Sequence, residues 1–102
     1  MTIEYWTPDP GTEQDEESLR AQLSAQGYSI TRYTYPLGCY FPDHTHSFAK
    51  IEVVLSGIFR MGMYGSYVDL KAGQAIHVPE NAIHNAEVIG DEPVICLDAV
   101  KL

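Results

Sequence analysis

From Tyr28 onward the sequence is a series of short runs of β-forming residues, and this feature limits the fold more than any other. The runs are rich in Val, Ile, Tyr and Phe and are separated by Gly, Pro, Asn or Asp. No helical pattern lies between them, so neighbouring strands must pair mainly in antiparallel fashion, in a sandwich or barrel. The runs are YSITRYTY, YFPDH, KIEVVLSG, IFRMGMY, YVDL, QAIHVP, HNAEVIG and VICLDAV.

One short helix is predicted before the strands, within TEQDEESLRAQLSAQG. Thr12 is a candidate N-cap, acidic residues crowd the first turn, and Gly27 follows the last turn. Leu19 and Leu23 are four residues apart and form a narrow apolar stripe. We therefore expect residues 1–27 to be an extended arm and a short helix packed on a barrel domain of residues 28–102.

The segment MGMYGSYVDL has the pattern of a tight hairpin. Gly65 and Ser66 stand between two β-forming runs, and Gly at the first central position of a two-residue loop is typical of a type II′ turn. The sequence therefore predicts a hairpin that turns at Gly65-Ser66.

Composition excludes several classes of partner. The formal net charge is −8, with only six Lys and Arg residues, which disfavours nucleic acid and anionic membranes. No apolar run approaches the length of a membrane span, and the first residues do not have the pattern of a signal peptide, so we expect a cytoplasmic protein. Cys39 and Cys96 fit no metal-binding pattern, and two buried thiols are favoured over a disulfide.

Two histidines one residue apart are the first candidates for chemistry. On a β-strand His44 and His46 point to the same side, with their Cα atoms about 6–7 Å apart. Two imidazoles at that spacing can converge on one metal ion, although a pair of surface histidines near a turn has the same pattern. The sequence around them decides between these interpretations.

The run from Gly38 to His84 resembles the cupin superfamily. Its first motif is G(x)5HxH(x)3–4E(x)6G and its second is G(x)5PxG(x)2H(x)3N. The matching residues are Gly38, His44, His46 and Gly57 in the first motif, and Gly73, Pro79 and His84 in the second. The resemblance implies an all-β fold, an antiparallel double-stranded β-helix (a jelly-roll barrel), with the one short N-terminal helix in addition.

The same resemblance implies a divalent ion, Fe, Mn, Ni or Zn, bound by three histidines and one carboxylate. His44, His46 and His84 match the three histidines, but Lys50 stands at the glutamate position. Asn81 replaces a glycine of the second motif, a mild change because Asn tolerates left-handed backbone conformations. Val88 replaces its asparagine, which puts a polar contact near the site in doubt.

Lys50 leaves three alternatives open. In the first, three neutral imidazoles hold the metal, as in the cupin thiol and diketone dioxygenases that this site resembles. In the second, Glu52 is the fourth ligand, since it lies two residues further along the same strand face. In the third, no metal is bound, and Lys50 and the histidines form a pocket for an anion or polar ligand.

His77 and Lys50 are candidates for a supporting role next to the metal. A packed core histidine is the simpler interpretation of His77, and a proton shuttle or a group that hydrogen-bonds to a metal ligand is the alternative.

The predicted function is a small mononuclear metal cupin, a dioxygenase or isomerase acting on a small organic molecule. The alternative is a non-catalytic module that binds a ligand or metal. Small cupins tend to dimerise by pairing edge strands, so the resemblance implies a homodimer, and the aromatic-rich segments 1–6 and 28–41 are candidates to cover such an edge.

Overall fold

The computed structural model describes residues 3–5 and 16–101. In these residues the chain forms one helix and nine strands, and every strand pairing is antiparallel. No helix of the described part is long and apolar enough to cross a membrane. In chain order the elements are β1 (Ile3–Tyr5), α1 (Glu16–Ala25), β2 (Tyr28–Tyr35), β3 (Tyr40–His44), β4 (Lys50–Ser56), β5 (Ile58–Met63), β6 (Ser66–Leu70), β7 (Gln74–Val78), β8 (His84–Ile89) and β9 (Val94–Lys101).

The strands form two sheets that share one apolar core. The first sheet has the order β1-β7-β4-β9-β2, and the second has the order β3-β8-β5-β6. Buried side chains from both sheets pack together in a single cluster, which we call the inner core. The predicted all-β fold, an antiparallel jelly-roll barrel with one short helix, is confirmed by these pairings.

Strand alternation places different chemistry on the two faces of the first sheet. On β4, Val54 belongs to the inner core, whereas Ile51 and Val53 belong to a second apolar cluster with the helix. Because side chains alternate along a strand, Lys50 and Glu52 share the inner face with Val54. Two charged residues therefore start the strand on the inner side of the barrel.

The helix covers the outer face of the first sheet. Leu19 and Leu23 are 2% and 0% exposed and pack with Ile51, Val53 and Leu97. The apolar stripe read from the sequence is thus the buried side of α1. The predicted N-cap, Thr12, lies outside the described residues.

The hairpin between β5 and β6 turns one residue earlier than predicted. Met63 pairs with Ser66, so the two loop residues are Tyr64 and Gly65, with φ values of 56° and 75°. Positive φ at both positions defines a type I′ turn, so the predicted type II′ turn at Gly65-Ser66 is wrong. A bulky Tyr in a left-handed conformation is uncommon, so the residue types alone predicted a turn one residue later, at Gly65-Ser66.

Candidate metal centre

Three histidines converge where β3 ends and β8 begins. His44 is the last residue of β3 and pairs directly with His84, the first residue of β8. The ring centroids of these two are 4.2 Å apart, and the His46 centroid lies 4.9 Å from that of His44 and 5.1 Å from that of His84. One nitrogen from each ring lies within 4.8 Å of the others, so all three can bind a single ion.

Backbone hydrogen bonds fix the orientation of two of these rings. His44 Nδ1 donates to Pro42 O at 2.7 Å, and His84 Nδ1 donates to Ala82 O at 2.9 Å. A carbonyl oxygen only accepts, so the proton is on Nδ1 and the Nε2 lone pair is left free. Anchoring of this kind is usual for histidines that bind metals.

Two of the inward nitrogens have no hydrogen-bond partner. Nε2 of His46 and Nε2 of His84 are both buried and unsatisfied. Burial lowers the pKa of both imidazoles, and the nearby Lys50 ammonium lowers that of His46 further, so both are neutral and able to ligate near pH 7. Buried lone pairs without a donor are costly, and a divalent metal ion would satisfy them. The donor set therefore fits the metal that the sequence predicts.

The segment before β8 is bound to the segment after β3. Asn81 N donates to His46 O at 2.7 Å, and Asn81 has a φ of 62°, the left-handed conformation that its motif position requires. Of the two carbonyl acceptors, Ala82 lies in the segment before β8, whereas Pro42 lies within β3. Val88, by contrast, is 4% exposed and belongs to the inner core, so it contributes packing instead of a polar contact.

Lys50 points into the barrel next to the histidines and is held by two carboxylates. Its Nζ donates to Asp98 Oδ2 at 3.2 Å and lies 3.2 Å from Glu52 Oε2. The Lys50 side chain is 12% exposed and that of Asp98 16%. Burial opposes the ammonium charge, but the two carboxylates outweigh it and raise the pKa of Lys50. Lys50 is therefore a buried cation at the position where the motif has a metal-binding carboxylate.

Glu52 belongs to a second cluster and not to the histidine cluster. Its carboxylate lies within 4.8 Å of Cys96 Sγ and of an Asp98 oxygen, both on β9. Glu52 is 1% exposed, and burial together with the adjacent Asp98 raises its pKa well above the usual range. Oε2 of Glu52 and Oδ1 of Asp98 are buried without a hydrogen bond of good geometry. The structure thus places Glu52 beside Lys50 and does not include it among the converging imidazoles.

A cavity of about 300 Å³ joins the two clusters. All three histidines, Lys50, Glu52 and Asp98 line it. Its remaining walls are aromatic or apolar, and the aromatic rings pack on one another, with Tyr35 stacked at 5.5 Å on Phe59 and at 5.7 Å on Tyr33. These apolar lining residues are Tyr33, Tyr35, Phe41, Phe59, Met61 and Ala86.

His77 is not brought to this cavity. It is exposed and lies opposite Ile51 on the outer face of the first sheet, because the neighbouring Ile76 and Val78 take the inner face. The structure therefore gives His77 neither the packed core position nor the place beside a metal ligand that the sequence suggested. Cys39 and Cys96 are both free thiols, as expected, but only Cys96 is buried, whereas Cys39 is partly exposed.

Sequence reasoning missed Asp98. The alternation VICLDAV does place Cys96 and Asp98 on one strand face, which was a usable signal. The pairing of β9 with β4, which sets Glu52 opposite Asp98, joins residues far apart in sequence. No local pattern shows which two strands will be neighbours.

Comparisons with known proteins agree with this fold. The family profile described as "Cupin domain" matches residues 31–100. An RmlC-like cupin from Shewanella frigidimarina is 22% identical with a TM-score of 0.64, and the alignment covers 72% of this chain and 65% of that one. A comparison with curated protein sequences found no significant match.

Two solved enzymes share the fold. The DMSP lyase DddQ from Ruegeria pomeroyi is 23% identical, with a TM-score of 0.64 over 74% of this chain and 39% of that one. A mutant oxalate decarboxylase from Bacillus subtilis is 27% identical, with a TM-score of 0.65 over 74% of this chain and 22% of that one. The chain spans well under half the length of both enzymes. With the profile match over most of its length, the two-sheet barrel and the three converging histidines, this chain belongs to the cupin superfamily.

Proposed function

We propose that this cupin binds one divalent transition metal through His44, His46 and His84 and acts on a small organic molecule, as a dioxygenase or an isomerase. The observation that carries the proposal is the pair of buried, unsatisfied Nε2 atoms that converge on one point with His44. Iron, manganese, nickel and zinc all suit imidazole ligands. When bound, such an ion supplies Lewis acidity and, if it is redox-active, access to oxygen chemistry.

The protein's own residues prepare the site for that chemistry. Hydrogen bonds from Nδ1 hold His44 and His84 in the tautomer that ligates. Three neutral ligands leave coordination positions open, which a catalytic site needs. The aromatic wall beside them, including Tyr35 and Phe59, excludes water from one side of the cavity and can contact the apolar part of a small molecule.

A second candidate function is a non-catalytic module that captures a small ligand or a metal. The observation in its favour is that both carboxylates in the cavity, Glu52 and Asp98, lie within 3.2 Å of Lys50. Neither is therefore free to act alone as a general base. Oxygen uptake in the presence of thiol or diketone compounds distinguishes an oxidising enzyme from a binding module.

Metal analysis tests the proposed site directly. Protein purified without an affinity tag and then equilibrated with Fe(II), Mn(II), Ni(II) or Zn(II) should retain close to one ion per chain for at least one of these metals. His84→Ala should lose that ion, because two imidazoles hold a divalent metal poorly. His77→Ala is the matched control, since it removes an exposed histidine from the outer face, and it should retain the metal. Metal-free wild type after all four incubations would contradict the proposal.

We also propose a cytoplasmic homodimer that pairs through edge strands. β1 and β2 are the two edges of the first sheet and β3 is an edge of the second, so segments 1–6 and 28–41 both contain edge strands. Light scattering on the purified protein should give twice the mass of the chain.

A further inference from the structure

The position of Lys50 has a consequence beyond metal binding. Its side chain lines the same cavity as the three histidines, and its ammonium is held in place from the side of β9 by Asp98. An ammonium group has three protons, and the contacts with Asp98 and Glu52 occupy two of them. Lys50 is therefore a fixed cation in the cavity wall with one donor left for a ligand.

The charges in the cavity favour an anionic ligand once a metal is bound. Three imidazoles bring no negative charge to a divalent ion. Even with Glu52 and Asp98 both ionised, a dication and the Lys50 ammonium together exceed the negative charge by one. Charge left uncompensated in a partly buried site is costly. A ligand with an anionic oxygen would neutralise the excess positive charge, so its binding is favoured.

The walls of the cavity restrict the rest of that ligand. Tyr33, Tyr35, Phe41 and Phe59 pack on one another and form an aromatic surface in the same cavity as the charged groups. A volume of about 300 Å³ is at the lower end for ligand cavities, which limits the occupant to a small molecule. A flat or apolar body would bury its surface against these rings.

We propose that Lys50 is a specificity-determining residue, whose ammonium binds an anionic oxygen of a small ligand with a flat or apolar body, while Glu52 and Asp98 position it. This inference rests on the proposed metal site, because the metal supplies the excess positive charge. It assigns to Lys50 a role different from that of the carboxylate that the cupin motif has at this position. A carboxylate at this position would reduce the positive charge of the metal-loaded site. Lys50 adds to that positive charge and therefore selects for an anionic ligand.

Benzohydroxamate, which joins a metal-chelating anion to a flat ring, is the probe for this proposal. Its affinity for the Zn(II)-loaded protein, measured by calorimetry, should fall about tenfold or more in Lys50→Met, because a charge-assisted hydrogen bond is lost. The Zn(II) affinity of Lys50→Met should be unchanged or higher, since Glu52 and Asp98 lose their cation beside the metal. A fall in the affinity for benzohydroxamate without a fall in the affinity for Zn(II) separates a ligand-binding role from general damage to the site. Lys71→Met, which removes an exposed lysine outside the cavity, should alter neither affinity.

A double variant and a second hydroxamate complete the test of this proposal. If Lys50→Met does not fold because its two carboxylates are left without a cation, Lys50→Met combined with Asp98→Asn restores the charge balance and should show the same loss. Acetohydroxamate, which has the same chelating group without a ring, should bind the wild type about tenfold more weakly than benzohydroxamate. Equal binding of the two probes would overturn the assignment of an apolar body.

The failures of the two proposals are distinguishable. A wild type that takes up no metal contradicts the proposed function and this inference together. A wild type that takes up Zn(II), and binds benzohydroxamate no better than Lys50→Met does, contradicts only the role of Lys50.

Discussion

At the scale of single residues, Gly57 shows why a motif position is restricted to one amino acid. Gly57 links β4 to β5 with a φ of +83°, and a Cβ placed there would meet Pro93 O at 2.5 Å. Gly65 has a similar φ of +75°, but a Cβ added at Gly65 would have nothing within 4 Å. The two glycines therefore separate the cost of a left-handed backbone from the cost of a clash with the main chain.

Gly57→Ala should destabilise the protein by about 3 kcal/mol, since it adds a clash with a backbone oxygen to the backbone strain. Gly65→Ala should cost about 1 kcal/mol, because only the strain applies. Urea denaturation of the two variants and the wild type provides the measurement. Equal losses would show that Pro93 moves away at no cost and that the contact is not what restricts the position.

The individual site residues could be read from the sequence to different degrees. His44, His46 and His84 were found from their spacing in the motifs, although His46 lies just after β3 and not on the strand where alternation placed it. The orientation of Lys50 could not be read, because it depends on Asp98, 48 residues away. A charged residue at the start of a strand is equally compatible with solvent. Strand alternation shows that Lys50 and Glu52 share a face, but it does not show that Asp98 on β9 completes the set of charges that holds Lys50 inside the barrel.

At the scale of elements, α1 is held to the barrel by very few side chains. Leu23 is fully buried against the outer face of the first sheet, and Leu19 lies one turn before it. Leu23→Ala should lower the free energy of unfolding by about 3 kcal/mol, through lost burial and a cavity under the helix. Leu37→Ala is the control, because Leu37 is 57% exposed and its truncation should change stability by less than about 0.5 kcal/mol.

Urea denaturation of both leucine variants, with metal uptake measured in parallel, tests this packing. Leu23→Ala should still bind metal, because the helix lies on the opposite face of the first sheet from the histidines. A stability loss no larger than that of Leu37→Ala would show that the helix adds little to the barrel.

Strand positions were predictable because they depend on local alternation and turn residues. The runs YSITRYTY and YFPDH coincide with β2 and β3, and the other predicted strands agree with the structure to within a residue or two at each end. The order of the strands in the sheets could not be predicted from any local pattern, and the resemblance implied only the jelly-roll fold. The turn at Tyr64-Gly65 was misplaced because the strand register, which fixes the loop, overrode the conformational preference of Tyr.

At the scale of the whole molecule, the candidate site joins the two sheets. The histidines belong to the β3–β8 side, whereas Lys50, Glu52 and Asp98 come from β4 and β9 of the other sheet. The cavity therefore exists only when both sheets are packed together, and groups that titrate in it are linked to the stability of the entire barrel.

The contribution of the buried imidazoles to the stability of the metal-free protein should be lost as the pH falls below about 6.5, the usual pKa of histidine. Burial lowers the pKa of His46 and His84 in the folded state, so the unfolded chain takes up these protons more readily and is favoured as they bind. This contribution is complete above the unfolded pKa and is lost as the pH falls toward the lower folded values. Thermal unfolding in the presence of a chelator, between pH 8 and 5.5, measures this dependence.

The matched comparison for that experiment is His46→Gln against His77→Gln. Removal of His46 should flatten the dependence of the melting temperature on pH, because one proton fewer is taken up on unfolding in this range. His77→Gln removes an exposed histidine and should leave the profile close to that of the wild type. Saturation with a metal that binds should make the wild-type profile steeper, since protons and the metal compete for the same nitrogens. Burial raises the pKa of Glu52 in the folded state, so its protonation acts in the opposite direction, and the test is the difference between the wild type and His46→Gln. Identical profiles of these two proteins from pH 8 to 5.5 would show that His46 is not linked to folding.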